Sequence, residues 1–213
     1  VERGLWNQIK RHPTWGYRVS DNRWEPIAVN GTSFFPYAAT FDPYRRVVIG
    51  VKPGGFWELD VDATDWRRVA KGAPHAWHNA AAFDSDRAVT VSFGTNERSN
   101  AVWQYRTGEE KARKMPTPGQ RPPPADSTPL VYHPGVRRVV ALVEKTESNG
   151  PGTTETWLYS TELDAWQQSH DATRPYAIGM NYNLVYDPNH DLLLLVTNYP
   201  GEPVSVWVLR LKD

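Results

Sequence analysis

Residues 41–66 read FDPYRRVVIGVKPGGFWELDVDATDW, and they carry one full unit of the pattern on which the chain is built. An aromatic-Asp pair, Phe41-Asp42, leads into a turn bent by Pro43. The aliphatic run VVIGV follows, then a Pro-Gly-Gly turn, then Trp57 inside the alternating run FWELDV. Nine residues later stands a second Trp, Trp66. Apolar residues at period two, bounded by Pro, Gly and Asp, predict short strands joined by tight turns.

The same order recurs on both sides of this segment. The first Trp returns in TWGYRV, VWQYRT, TWLYST and VWVLRL, so that Trp15, Trp57, Trp103, Trp157 and Trp207 lie 42, 46, 54 and 50 residues apart. The second Trp follows at Trp24, Trp66 and Trp166, while Ala112 stands at that place after Trp103. The aromatic-Asp pair returns as Phe83-Asp84, Tyr132-His133 and Tyr186-Asp187. From each first Trp to the next of these Asp or His residues the distances are 27, 27, 30 and 30. A fixed period of this length marks a repeat architecture in which each unit buries its faces against its neighbours. Each unit predicts four strands: one ending at the aromatic-Asp pair, the aliphatic strand, and one around each Trp. No stretch carries a sustained helical period with caps, so no long helix is expected.

These residues resemble kelch-repeat β-propellers, within the galactose-oxidase-type propeller superfamily. The resemblance rests on the aromatic-Asp turn, the aliphatic second strand and the two Trps about ten residues apart, and it covers nearly the whole chain. The glycine pair that ends the second kelch strand is missing; Val51-Lys52, Gly94-Thr95, Glu144-Lys145 and Thr197-Asn198 stand in that region. The implied fold is all-β, a propeller of four-stranded antiparallel blades with about four repeats present. Residues 1–213 then form a single propeller segment. Complete blades are expected at about 37–70, 79–115 and 128–169, with a partial blade at each end. Closing a ring by joining the two ends would set the Trp24 strand beside the Trp207 strand and duplicate a third strand. The expectation is therefore part of a larger ring, with further blades or a partner chain at the open ends.

Composition narrows the function classes. Formal net charge is zero, with 39% hydrophobic and 23% charged residues, which argues against a nucleic-acid partner. Ten Trp and ten Tyr beside two Met favour half-buried strands. No apolar run approaches the roughly 20 residues of a membrane-spanning helix. The chain opens on Val1 and shows no signal peptide, an opening that fits removal of upstream sequence. Without Cys there are no disulfides or thiolate metal sites. The compartment stays open, with a lean to a secreted or periplasmic protein.

In a kelch-like ring, the loops entering each first strand share a face with those joining second and third strands, and ligands usually sit there. The segment PHAWHN puts His75, Trp77, His78 and Asn79 at the mouth of a channel-lining strand. Tyr37 and Tyr182 occupy the places equivalent to Asn79, four residues before the marker aromatics, and so would ring the same mouth. Two His three apart suit a metal or a proton shuttle, since imidazole titrates near neutrality; packing and turn roles are the simpler account, and no metal or cofactor is expected. Grouped with Arg98, the His and Tyr residues resemble what some polysaccharide-lyase propellers use to abstract a sugar proton. Copper-radical oxidases share the ring but depend on a Cys joined to a Tyr, which this chain lacks.

Other candidates read more simply as structure. Asp60, Asp62 and Asp65 lie in a turn where Asp and Asn recur in other blades, as expected of side chains that bond nearby backbone. Gly54-Gly55 precedes a strand, so no helix N-terminus is offered to a phosphate. Arg45, Arg46, Arg87, Arg137 and Arg138 would form a solvated basic rim on the opposite face. The run MPTPGQRPPPAD reads as an extended entry loop. The function expected is a non-catalytic scaffold that binds a protein or a glycan through the loop-rich face. The alternative is a carbohydrate-active enzyme of the polysaccharide-lyase type at the His/Tyr mouth.

Overall fold

The marker Asp or His of each repeat folds its own turn. Asp42 Oδ1 accepts from the backbone N–H of Tyr44 and Arg45, Asp84 Oδ1 from Asp86 and Arg87, and Asp187 Oδ1 from Asn189. His133 Nδ1 takes the same place, 3.4 Å from the Val136 nitrogen. Four residues after each marker, Arg46, Ala88, Arg137 and Asp191 close the turn in the left-handed region, at φ between 51° and 56°. The aromatic-Asp signal is thus an Asx-type turn that reverses the chain between two strands.

The computed structural model describes residues 14–28, 36–60, 65–75, 77–97, 99–126, 128–145, 153–174, 178, 182–198 and 203–211. Its regular elements are strands, apart from one short 3₁₀ turn at Val19–Asp21. A hairpin of β1 (Thr14–Arg18) and β2 (Arg23–Ala28) comes first. Blade A holds β3 (Ala38–Asp42), β4 (Val47–Lys52), β5 (Gly55–Asp60) and β6 (Arg67–Lys71). Blade B holds β7 (Ala80–Asp84), β8 (Val89–Phe93), β9 (Trp103–Arg106) and β10 (Arg113–Lys114). Blade C holds β11 (Leu130–His133), β12 (Arg138–Lys145), β13 (Thr153–Ser160) and β14 (Ala165–Arg174). Blade D holds β15 (Tyr182–Asp187), β16 (Leu192–Thr197) and β17 (Ser205–Leu209). Every blade is an antiparallel meander, and the arrangement is a four-bladed β-propeller whose fourth blade has three strands among the described residues.

The first strands β3, β7, β11 and β15 face one central channel. They enclose a cavity of about 360 Å³ lined by residues such as Thr40, Phe41, Phe83, Tyr132 and Val185. Its lining also includes the turn residues Pro43, Ser85 and Pro134, so it lies towards the turn end of the channel, away from the entry loops. β2 pairs with β1 and belongs to a sheet separate from β17. The Trp24 strand is therefore not the fourth strand of the Trp207 blade. A bond from Trp66 Nε1 to Thr14 Oγ1, 2.8 Å, ties the hairpin to blade A instead.

Cores lie between blades, as repeat packing requires. Ile49, Val51, Phe56 and Ala70 of blade A pack with Phe83 and Tyr105 of blade B. Val91 and Phe93 meet Val139, Trp157 and Trp166 of blade C, and Val140 and Leu142 meet Leu184, Leu193 and Leu195 of blade D. Polar ties repeat in register across two of these joints. Two residues after its first Trp, each of blades B and C carries a buried Tyr that reaches the residue after the previous blade's first Trp. Tyr105 donates to Glu58 at 3.1 Å, and Tyr159 meets Gln104 Nε2 at 2.7 Å. Asp84, fully buried, also accepts from Thr161 of blade C.

The Trps differ among themselves. Trp157 is buried, whereas Trp57 is only partly so, and the Lys52 ammonium covers its ring at 4.6 Å from the centroid. In blade B, Ala112 stands in place of the second Trp. Ala112 is buried where its segment runs alongside blade A, donating to Lys71 O while Lys71 donates to Glu110 O. Gly72, at φ +84°, leaves a Cβ only 3.1 Å from Ala112 O. At this place the chain is thus held to blade A through its backbone.

Burial and the adjacent Glu58 charge push the Tyr105 phenol up to about 12. Below the ordinary value of 10 the folded and unfolded chains both hold this proton. Between about pH 10 and 12 the unfolded chain releases it and the folded chain does not, so stability falls across that window. Tyr105→Phe keeps the ring against Phe56 and is expected to flatten part of that fall, measured as denaturation midpoints between pH 9 and 12. An unchanged alkaline slope in the variant would count against the burial of this phenol.

Candidate functional site

The entry loops gather several of the expected residues at one mouth. Tyr37 is fixed by its N–H to Val51 O at 3.0 Å, at the rim of blade A. Its ring lies against that of Trp77, with centroids 4.1 Å apart, and 6.0 Å from that of His78. Trp77 comes from the loop before β7, and its backbone is clamped twice by Asn96. The Trp77 N–H donates to Asn96 Oδ1 at 2.9 Å, and the Asn96 N–H donates to Trp77 O at 2.8 Å. The indole nevertheless stays 45% exposed.

Backbone strain marks the next residue. His78 stands at φ +58°, a left-handed conformation uncommon for a side chain of this kind. Its Nδ1 lies 3.4 Å from Asp126 Oδ1, both groups being partly exposed. Asp126 closes the Pro-rich entry loop of blade C. That loop is anchored to blade B where Thr95 N–H donates to Ala125 O and Ser99 pairs with Ala125. The Asp126 charge also acts on Tyr182, at the start of β15. Burial first, and then this carboxylate, push the Tyr182 phenol strongly upward, so it keeps its proton.

Of the residues expected at the mouth, Tyr37, Trp77 and His78 are brought together, and Tyr182 joins them through Asp126. Asn79 is buried at the head of β7, while His75 is exposed in the same loop and enters none of these contacts. Arg98 lies outside the described residues, as does Asp62 of the acidic turn. Asp126 is the residue that sequence reasoning missed. The signal for it was position: an acidic side chain at the end of an entry loop, just before a first strand. Among the described residues no group of three His, Asp or Glu side chains is placed to hold a metal ion.

On the opposite face, several arginines of the expected solvated basic rim are paired with carboxylates. Arg45 pairs with Asp42 at 2.7 Å and Glu58 at 2.8 Å, Arg87 pairs with Glu162, and Arg137 pairs with Asp86 at 2.9 Å. Those guanidinium groups are engaged in holding turns and blades together. No family model matches the chain, and no curated protein matches it in sequence. The geometry of the mouth therefore carries the functional argument alone.

Proposed function

We propose that this chain is a kelch-like propeller that binds a protein or glycan partner through its entry-loop face and catalyses no reaction there. The carrying observation is Trp77: a large apolar ring held out to solvent on a backbone that Asn96 clamps in both directions. A rigid exposed aromatic loses little conformational freedom on binding, and such residues dominate recognition energetics. The kelch character rests on the Asx-type turns, the paired Trps and the repeated Tyr ties between blades. Proton abstraction from a sugar by the same mouth would need a phenolate or a basic imidazole. The Tyr182 phenol is shifted against ionisation, which favours binding over catalysis.

The reading extends to the rim of blade D, where Val206, Trp207 and Val208 of β17 are exposed. A further blade or a partner chain, with main-chain pairing along β17, would cover this apolar strand. The loop-face reading is tested with a printed panel of oligosaccharides and extended peptides. Binding by the full chain is expected to be weakened about tenfold or more by Trp77→Ala, as for truncation of an anchor aromatic. Arg138→Ala on the opposite face is expected to leave it unchanged. Binding abolished by Arg138→Ala and indifferent to Trp77→Ala would overturn the reading.

A further inference from the structure

We infer that Trp77, backed by Tyr37, is a stacking platform for a neutral pyranose ring, with Asp126 and His78 bonding its hydroxyls. This inference rests on the loop-face reading above and names its ligand class. Three observations choose among the ligands an exposed aromatic can take. The first is the ring separation. Aromatic cages hold a cation between ring faces, and the Tyr37 and Trp77 centroids, 4.1 Å apart at an interplanar angle of 49°, are in direct contact. They leave no gap for an ammonium group; the Tyr37 ring instead backs the indole.

The second observation is what surrounds the indole. A stable protein interface needs roughly 800 Å² per partner around an apolar centre. Among the described residues in the mouth loops of blades A to C, Trp77 is the single exposed large hydrophobic side chain. Its own loop carries the exposed His75, and the segment that clamps it carries the exposed Asn96 and Glu97. One apolar face within a polar ring suits a ligand that is itself apolar on one face and polar at its edge. A pyranose with equatorial hydroxyls is such a ligand: its axial C–H bonds lie on the ring and its hydroxyls project sideways.

The third is the pairing of hydrogen-bond types. Asp126 accepts, and the His78 imidazole either donates or accepts according to its tautomer, which matches a vicinal diol. Asp126 adds a negative charge, so a neutral saccharide is preferred over an acidic one. The loops that carry Trp77 and Asp126 are both fixed to the β8–β9 loop, through Asn96 and Thr95, so the platform exists before the ligand arrives.

The test is titration of the full chain with a β-1,4-linked gluco-oligosaccharide hexamer, followed through the indole N–H resonances of its Trp residues. The expected result is a saturable shift of the Trp77 resonance. Trp77→Ala is expected to weaken binding at least about tenfold, Trp77→Phe less, and Asp126→Asn by a smaller factor. Trp24→Ala removes an exposed indole on β2 and is expected to leave affinity unchanged. No saturable shift with this hexamer or its N-acetylated counterpart overturns the saccharide assignment and leaves the loop-face reading to the panel above. A shift confined to Trp207 or Trp24, with Trp77 unmoved, overturns both.

Discussion

Trp157→Ala is expected to destabilise the chain by about 3–5 kcal/mol, the range for deleting a buried Trp from a packed core. Trp157 is 5% exposed and packs with Val91, Phe93, Val139 and Trp166 at the joint between blades B and C. The same repeat position in blade D is Trp207, which is 40% exposed on β17. Trp207→Ala is expected to cost under about 1 kcal/mol, as is usual for exposed side chains outside special geometry. Urea denaturation of the two variants beside the parent chain gives the comparison. Equal losses would mean that the repeat does not divide its Trps between blade joints and rim as described.

A second large effect is expected at Asp84. Its buried carboxylate holds the turn through Asp86 and Arg87, accepts from Thr161 of the next blade, and lies 3.7 Å from the partly exposed Arg87 guanidinium. Asp84→Ala removes the acceptor for all of these groups, and breaking a buried charged network of this kind costs about 3–5 kcal/mol. Asp187 is the same repeat residue, but its partners are the neighbouring Asn189 N–H and His190 at 2.7 Å, within an exposed turn. Asp187→Ala is expected to cost only about 0.5–1.5 kcal/mol, the worth of an ordinary hydrogen bond. The difference in denaturation midpoint separates a turn-forming role from a blade-joining one. A smaller loss for Asp84→Ala than for Asp187→Ala would contradict the joint.

The fold was legible because each repeat states its turns and strands in local chemistry. Asp42 and Asp84 announce a reversal through side-chain acceptance of their own backbone N–H groups. VVIGV and AVTVSF announce buried strands through apolar residues at period two. What local pattern could not give is contact between repeats. The loss of the second Trp at Ala112 was visible, but not that its segment bonds through its backbone to Lys71 of the neighbouring blade. Trp57 carries the same motif as Trp157, yet it is covered by Lys52 rather than buried in an aromatic cluster. The site was legible in part for the same reason. Tyr37 stands at a repeat position that the period identifies, and Trp77 and His78 directly precede another, Asn79. Asp126 stands in a loop of irregular length, and its nearness to His78 depends on how two blades meet. The arginines of the turns were visible as charges, but their partners Glu58, Glu162 and Asp86 lie on other strands, turns or blades.

The central claim is that consecutive repeats are blades meeting turn to turn around one channel. The chain has no Cys, so paired substitutions report on that geometry without background. Asp86 and Arg137 belong to the turns of blades B and C, lie 51 residues apart in sequence, and form an ion pair at 2.9 Å. The measurement is the rate of intramolecular cross-linking of Asp86→Cys/Arg137→Cys by a short bis-maleimide, in buffer and in urea. The predicted result is rapid, near-complete closure in buffer and slow closure in urea, where loop-closure entropy opposes the meeting of the two sites. A rate in buffer no higher than that of the unfolded chain would contradict the propeller.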